Sequence, residues 1–317
     1  FRLDVRRNTQ VSVDALYDSI VEGRISSGLQ DDTTFRPQIE RYGGGVQVSQ
    51  VINRVRGTIG ANYTRIDLQS EDGSQNFRDR EIGEYGARVE YIVSPSTSLF
   101  MRASYARVQY DDPQGTQFDV NGDGVIQNVD IDADGFFASP GDVIEEGLPG
   151  IRDNEALRIG VGSVFEISRL LQGEVSIGYL ETQYDSPFFN DVDGIDLDIG
   201  LTWFATQLTT IRLAGGSSIE DSTIPGSSGF LNYFGQVSVD HELRRNILVS
   251  ATVAYSEDDY EGIPREDQRI GADIGIDYLM NRNIAVTARY TYQDRDSTDA
   301  QIPFTQNIVY LGLRGQI

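Results

Sequence analysis

The segment from Asp119 to Asp130 has oxygen-bearing residues at the spacing of a calcium-binding loop. Such a twelve-residue loop needs side-chain oxygens at positions 1, 3 and 5, a glycine at 6, a backbone carbonyl at 7 and a carboxylate at 12. Gly124 supplies the bend, and the predicted ligands are Asp119, Asn121, Asp123, the carbonyl of Val125 and Asp130. A candidate second site follows at Asp132 and Asp134. The alternative interpretation is a hydrophilic loop rich in turn-forming residues.

This segment lies inside a long acidic stretch, residues 111–153, which contains eleven Asp or Glu residues and a single Arg. It is too long to be a simple connection, so we expect it to fold over the mouth of the molecule or to reach a neighbour. Like charges at this density repel one another unless cations bind, and we therefore expect calcium as a cofactor. A disordered acidic loop is the alternative.

Charged residues also recur at the polar positions of alternating apolar and polar segments. If these segments are strands of a barrel, such side chains point into its lumen. Charges of both signs on neighbouring strands usually pair and brace the wall, whereas Arg and acidic rows on opposite walls would set a transverse field across a pore. The predicted pore-lining residues are Arg56, Arg88, Glu90, Arg102, Arg158, Glu174, Asp196, Asp198, Arg212, Asp240, Asp273, Asp277 and Arg289.

Catalytic groups are not recognisable in the sequence. His241 is the one histidine, and no Ser, Asp or Asn at triad spacing accompanies it. The alternation places His241 on the apolar face near a tight turn, so we expect an interfacial residue there. Many acidic residues are present, but nothing selects a pair for glycoside hydrolysis. We therefore expect a protein that is not an enzyme.

Strands must position these side chains, and the hydrophobic pattern predicts strands from end to end. In residues 270–278, Ile, Ala and Tyr alternate with Gly and Asp, so one face of the strand is apolar and the other is polar. Fifteen strands are predicted at 1–5, 10–21, 39–52, 54–66, 83–93, 98–110, 154–167, 170–184, 194–205, 208–220, 230–243, 247–258, 269–280, 283–294 and 306–316.

The connections between these strands are short and long by turns. Tight turns are predicted at Arg6–Thr9, Ile52–Arg54, Ser94–Thr97, Ser168–Leu170, Ala205–Leu208, Arg244–Asn246 and Asn281–Asn283. Longer loops are predicted at 22–38, 67–82, 111–153, 185–193, 221–229, 259–268 and 295–305. Bacterial outer-membrane barrels have short periplasmic turns and long extracellular loops. We therefore expect the long loops to be extracellular and the termini to be periplasmic.

The combination predicts an all-β fold, a transmembrane antiparallel up-and-down β-barrel that occupies residues 1–317 as a single domain. Two aromatic girdles support this interpretation, one at Tyr63, Tyr105, Tyr179, Tyr255 and Tyr290 and the other at Tyr91, Phe165, Trp203 and Tyr278. Two termini on one side need an even number of strands, so we expect one further strand before Phe1 and about 16 in the complete barrel. Fourteen would result if residues 1–8 formed a tail. A soluble sandwich is the alternative, but it explains neither the girdles nor the alternating turn lengths.

Composition agrees with an outer-membrane protein of a Gram-negative bacterium. All 26 basic residues are Arg, and with 49 acidic residues the formal charge is −23, so nucleic acid is not an expected partner. No apolar run reaches the roughly 18 residues of a membrane-spanning helix, and mean hydropathy is negative. Cysteine is absent, which excludes disulfides and thiolate metal sites. We expect outer-membrane lipid and lipopolysaccharide as surroundings, and an export signal outside this chain.

Turn and strand motifs in the second half of the chain resemble those of a known family. Their order and spacing match the outer-membrane β-barrel porin family often associated with exopolysaccharide export. The matching motifs include Gly178-Tyr179, Tyr184-Asp185, Leu201-Thr202-Trp203, His241-Glu242-Leu243-Arg244-Arg245-Asn246 and Asn281-Arg282-Asn283. Residues 91–100 resemble an earlier hairpin of the same family. Because these motifs belong to turns and strands, the resemblance bears on fold more than on function.

The resemblance implies a conduit through the outer membrane. We expect the pore component of an exopolysaccharide secretion system, with a periplasmic polysaccharide-export protein as partner and with oligomerisation left open. One alternative is a general diffusion porin for small solutes, and another is a structural or adhesive surface barrel with calcium-stabilised loops. A TonB-dependent transporter is disfavoured because it needs about 22 strands and a plug, which 317 residues cannot supply.

Overall fold

The computed structural model describes residues 2–6, 8–21, 38–69, 78–111, 117–118, 127–128, 152–186, 189–222, 224, 227–299 and 302–315. Within these ranges, no helix has the length and apolar character needed to cross a membrane.

Seventeen β-strands make up the regular structure of the described residues. Fifteen of them form one antiparallel sheet in chain order, and β7 and β8 form a separate two-stranded ribbon. This confirms the predicted all-β, up-and-down architecture. The strands are β1 Arg2–Arg6, β2 Thr9–Val21, β3 Gln38–Ile52, β4 Val55–Gln69, β5 Arg80–Ser94, β6 Thr97–Tyr110, β7 Gln117–Phe118, β8 Gln127–Asn128, β9 Asn154–Ser168, β10 Leu171–Tyr184, β11 Val192–Thr206, β12 Thr209–Asp221, β13 Gly229–Arg244, β14 Ile247–Tyr260, β15 Glu266–Leu279, β16 Ile284–Ser297 and β17 Phe304–Gly315.

The tight turns lie where the sequence predicts them. In the β3–β4 hairpin, Asn53 and Arg54 alone make the turn. Asn53 has φ 56°, a left-handed conformation that asparagine tolerates because its short side chain bonds locally. At the opposite ends the strands are longer than predicted. For example, Asp258 pairs with Asp267 and Asp259 with Glu266. Acidic residues such as Asp259, Glu266 and Asp267 recur in these extensions, so hydrophobic alternation does not reveal them.

The ribbon β7–β8 within residues 111–153 was not predicted. Gln117 pairs with Asn128, and Phe118 with Gln127. A strand of two residues is too short to show a period in sequence. The ribbon therefore had no detectable signal.

Strand β1 forms one edge of the large sheet and β17 the other. Leu3 of β1 pairs with Val11 of β2, which agrees with counting the first residues as a strand rather than as a tail. Among the described residues the sheet is barrel-like and open between β1 and β17. Closure by a sixteenth strand stays a prediction.

One face of the sheet is apolar and exposed. Leu213, Val237 and Val253 lie side by side on β12, β13 and β14, and Val237 is 44% exposed. In contrast, Asn232 on the other face of β13 is buried and donates to Asp258 at 2.5 Å. An apolar residue on the open side and an amide on the enclosed side is the arrangement of a barrel in lipid, and the reverse of a soluble core.

Aromatic residues lie at two levels on this apolar face. Tyr105, Tyr179 and Tyr255 are exposed toward the long-loop ends of β6, β10 and β14, and Trp203 and Tyr278 are exposed near the tight turns. Amphipathic rings at two levels suit the two interfaces of a bilayer.

Replacing Val237 by Arg tests the lipid-facing assignment. We expect the substitution to lower the free energy of folding into vesicles by about 2–4 kcal/mol, the range for Arg at the midplane of a barrel's lipid face. Guanidine titration of the vesicle-inserted protein measures this. Gln236→Arg is the matched control, because the adjacent side chain is exposed on the polar face. Equal costs for the two variants would contradict the assignment.

Candidate functional site

Ion pairs on the polar face join strands that are far apart in the sheet. Arg102 on β6 donates to Asp196 at 2.8 Å and to Asp198 at 2.7 Å on β11, three strands away. Likewise, Arg88 on β5 donates to both oxygens of Glu174 on β10, at 2.7 and 3.1 Å. Three strand spacings are about 14 Å along the wall. Side chains so separated meet only across the concave side of a curved sheet, so the polar face is the inner face.

Two glycines lie beneath the pair between Arg102 and Asp196. In the register, Arg102 is opposite Gly160, Gly160 is opposite Gly178, and Gly178 is opposite Asp196. A Cβ on Gly160 would lie 3.2 Å from the carboxylate of Asp196 and 3.5 Å from Nε of Arg102. On Gly178 it would collide with the carbonyl oxygen of Ile159. The absence of a side chain at Gly160 therefore leaves room for the ion pair, and its absence at Gly178 allows the close approach of the β9 backbone.

The same region holds buried polar atoms without a hydrogen-bond partner. Among the described side chains these include Nε of Arg88, Nε of Arg102, Oγ of Ser176 and Oδ1 of Asp196. Asp196 is fully buried, and its Oδ1 lies 3.5 Å from Nε of Arg158. Buried polar groups are normally bonded to protein or to water. This layer is thus equipped to hold water or the polar groups of a solute.

An aromatic ring completes the layer. The guanidinium carbon of Arg88 lies 3.6 Å from the centre of the Phe100 ring, a close cation–π contact. Phe100 is itself buried and lies opposite Gly162 on β9. We call this set the charged layer, which consists of Arg88, Phe100, Arg102, Arg158, Glu174, Asp196 and Asp198.

The other predicted charges pair locally along the wall. Arg56 bonds Glu90 at 3.1 Å, and Arg289 lies 3.5 Å from Asp273. Further contacts join Arg212 to Asp240 and Thr287 to Asp277. All six arginines of the predicted set therefore contact a carboxylate, and within the described residues they do not form a basic row facing an acidic one.

Two cavities lie on either side of the charged layer. The larger, about 580 Å³, lies near the β5–β6 turn, and its lining includes Arg56, Glu90, Ser98, Glu174 and Thr202. The smaller, about 180 Å³, lies toward the long loops, where Ser104, Arg158 and Leu180 contribute to its wall. On β6, Phe100 and Arg102 of the charged layer lie between Ser98 of the larger cavity and Ser104 of the smaller one.

A second cluster, which sequence reasoning missed, lies at the long-loop ends. Asp221 accepts from the Tyr110 hydroxyl at 2.5 Å, the Tyr184 hydroxyl at 2.8 Å and the Asn154 amide at 3.1 Å. Burial raises the pKa of both tyrosine hydroxyls above the ordinary 10.0, and the Asp221 carboxylate raises it further. The cluster lies above the upper aromatic level. The one available signal in the sequence was that Tyr110 and Tyr184 occupy positions that the alternation assigns to the inner face of their strands.

The predicted calcium ligands at 119–125, Asp130, Asp132 and Asp134 lie outside the described residues. Elsewhere in the described chain, no group of three or more acidic or histidine side chains is arranged to hold a metal. His241 pairs with Thr209 across β12 and β13, and its Nδ1 lies 3.0 Å from the threonine hydroxyl. Calcium binding stays a prediction.

Comparison with known families matches the whole chain to one model. That model is described as "Putative beta-barrel porin 2" and covers residues 1–317. No curated protein sequence matched this chain significantly.

Solved outer-membrane transporters share the fold. The FrpB iron transporter from Neisseria meningitidis is 8% identical, with 92% of this chain and 49% of that chain covered and a TM-score of 0.52. FpvA of P. aeruginosa, bound to heterologous pyoverdines, is 10% identical, with 98% and 50% covered and a TM-score of 0.52. The siderophore receptor PirA from Acinetobacter baumannii is 8% identical, with 98% and 62% covered and a TM-score of 0.52. This chain spans about half to three fifths of their lengths, and at such identity the likeness shows strand architecture alone.

Adding a methyl group beneath the charged layer should destabilise the wall. We expect Gly178→Ala to lower the free energy of unfolding by about 1–3 kcal/mol, because overpacking forces backbone shifts. Gly271→Ala is the matched control on the inner face of β15, since its added Cβ would meet nothing within 4 Å. Urea unfolding in detergent micelles compares the two. A loss for Gly271→Ala as large as that for Gly178→Ala would show that the close contact is not the cause.

The Asp221 cluster should make stability fall at alkaline pH. The folded-state pKa of Tyr110 and Tyr184 is raised above the unfolded value of 10.0, so their contribution is complete below about pH 10 and declines as pH rises above it. Unfolding midpoints between pH 8 and 11.5 measure the decline. The double variant Tyr110→Phe/Tyr184→Phe should be less stable at pH 8 and should lose less on titration. If the unfolding midpoint of the double variant fell as steeply with pH as that of the unsubstituted protein, other tyrosines would be responsible for the decline.

Proposed function

This chain belongs to the "Putative beta-barrel porin 2" family and is an outer-membrane β-barrel conduit, and on that premise we propose that it is the outer-membrane pore component of an exopolysaccharide secretion system. In this proposal the concave face lines the aqueous path. Its tight turns face the periplasm and its long loops face the exterior, as in other outer-membrane barrels. The larger cavity then lies at the end from which a polymer would arrive.

The lining of the larger cavity is the observation that carries the proposal. Its hydroxyl groups can each donate and accept hydrogen bonds, as sugar hydroxyls do. Carboxylates and an arginine add charged partners, while Ile92, Val164 and Pro95 offer apolar surface to the C–H face of a sugar ring. At about 580 Å³ the space is within the range of ligand sites. The hydroxyl groups come from Ser94, Ser96, Thr97, Ser98 and Thr202.

The charged layer would be the constriction of this path. It lies between the two cavities, and its arginines bond carboxylates that remain partly exposed, with Glu174 at 33% and Asp198 at 50%. A polymer carrying hydroxyl or carboxylate groups could exchange with these partners one at a time.

A periplasmic polysaccharide-export protein is the partner that this direction of transport requires. It would dock at the tight-turn end, next to the larger cavity. Calcium at residues 119–130 would order the acidic segment at the opposite mouth.

Single-channel recording in planar bilayers tests the proposal. We expect oligosaccharide added on the tight-turn side to block the current and the same sugar added on the long-loop side to block it weakly, because the larger cavity lies near the tight turns, on the near side of the charged layer. Arg102→Gln should raise the open conductance by loosening the constriction. Arg212→Gln is the matched control, because Arg212 pairs with Asp240 on the adjacent strand only.

The recordings also separate the alternatives. Free passage of small ions and sugars with no block from either side would indicate a general diffusion porin. Absence of conductance in both the unsubstituted protein and Arg102→Gln would favour a structural or adhesive surface barrel. Either result would overturn the secretion proposal.

A further inference from the structure

Among the described residues, six arginines at the tight-turn ends of the strands have exposed side chains with no bonding partner. Within the described part of the chain, their side chains make no hydrogen bond, ion pair or ring contact. In contrast, lumen arginines such as Arg56, Arg102 and Arg212 all contact carboxylates. We call the unpaired set the arginine rim, which consists of Arg54, Arg169, Arg244, Arg245, Arg282 and Arg314.

The arginine rim is distributed around the sheet. Its members lie in the β3–β4, β9–β10, β13–β14 and β15–β16 turns and at the end of β17. Two acidic residues, Glu166 and Glu242, lie close to it in sequence. This end of the molecule is therefore basic, although the whole chain carries a formal charge of −23.

Exposed aliphatic side chains accompany the rim. Ile52, Ile167, Leu243 and Met280 lie within two residues of a rim arginine, and Ile167 is 73% exposed. Just above them on the outer face are Trp203 and Tyr278 of the lower aromatic level. Cations beside apolar side chains, below an aromatic belt, are typical of a lipid headgroup region, where long side chains keep the charge at the surface and the stem in the hydrocarbon.

The geometry points to phosphate as the ligand. We propose that the arginine rim binds the phosphate groups of anionic phospholipids, such as phosphatidylglycerol, around the circumference of the barrel. A guanidinium presents two parallel N–H groups that match phosphate oxygens, which a lysine ammonium does not. An annulus of lipid reaches every hairpin that carries a rim arginine, whereas one docked acidic protein would cover the end of the barrel and leave the outward aliphatic groups unexplained.

Spin-labelled lipids test the proposal on the full chain in phosphatidylcholine vesicles. We expect labelled phosphatidylglycerol to be immobilised in preference to labelled phosphatidylcholine, by about fivefold at each rim site, the ratio that corresponds to ~1 kcal/mol per basic residue at an anionic surface. Salt at 1 M, where the Debye length is about 3 Å, should reduce the preference. The preference should fall toward one in the rim variant, Arg169→Gln/Arg244→Gln/Arg245→Gln/Arg282→Gln.

Two further variants separate charge from geometry and from position. Lysine at the same four positions should retain part of the preference, because it keeps the charge and loses the fork. The matched control replaces four exposed glutamines at the long-loop ends by glutamate, which lowers the net charge by the same four units, and it should keep the full lipid preference. It consists of Gln38→Glu, Gln109→Glu, Gln183→Glu and Gln268→Glu.

Several outcomes would overturn the proposal. One is an equal affinity of the unsubstituted protein for the two labelled lipids. Another is a loss of phosphatidylglycerol preference in the control variant that equals the loss in the rim variant, which would mean that overall charge rather than the rim is responsible. Binding of poly-glutamate that needs the rim, without any lipid preference, would assign the surface to an acidic protein. Circular dichroism in phosphatidylcholine alone checks folding, and if the rim variant fails to fold, the lipid ratio and salt response of the unsubstituted protein decide the matter.

Discussion

Backbone hydrogen bonding inside lipid is the constraint on which the rest of this structure depends. A bilayer offers no water, so an unpaired N–H or C=O group there costs several kcal/mol. In the large sheet, every strand except β1 and β17 pairs on both sides with its neighbours in chain order. Continuous pairing makes the side chains alternate, with apolar residues such as Val237 outside and polar ones such as Asn232 inside. Charges therefore have no place except the concave face and the two ends.

Confinement on the concave face then determines how the charges are arranged. Where the wall curves sharply, Arg102 reaches Asp196 three strands away, and the glycine at 160 leaves the necessary space. Elsewhere an arginine contacts a carboxylate on an adjacent strand, as Arg289 does with Asp273. The deeply buried pair costs more to desolvate and holds a specific geometry, whereas an exposed pair contributes little to stability. The charged layer is thus built where distant strands face each other across the concave side, from the same residue types that pair along the wall elsewhere.

The two ends of the strands differ in charge because they have different surroundings. At the long-loop ends, acidic groups such as Asp221 are buried among tyrosine hydroxyls, and Asp258 is bonded by Asn232 and Arg269. At the tight-turn ends, arginines are exposed beside aliphatic side chains. At the long-loop ends, protein groups bond these buried carboxylates. At the tight-turn ends, the unpaired arginines are open to groups outside the chain, and the molecule is electrically polar along its axis.

The sequence by itself determined the strands, the tight turns and the face on which each residue lies, because these depend on neighbours one or two positions away. Asp273 and Val237 could be assigned to opposite faces from alternation alone. Strand extensions such as Asp259–Tyr260 and the ribbon at Gln117–Phe118 were not predicted, since neither carries an apolar period. Alternation also could not reveal that Arg102 meets Asp196, or that Tyr110 and Tyr184 converge on Asp221 from two to four strands away. Only the tertiary structure decided these contacts, because they depend on how sharply the sheet curves, and curvature is a property of many strands packed together.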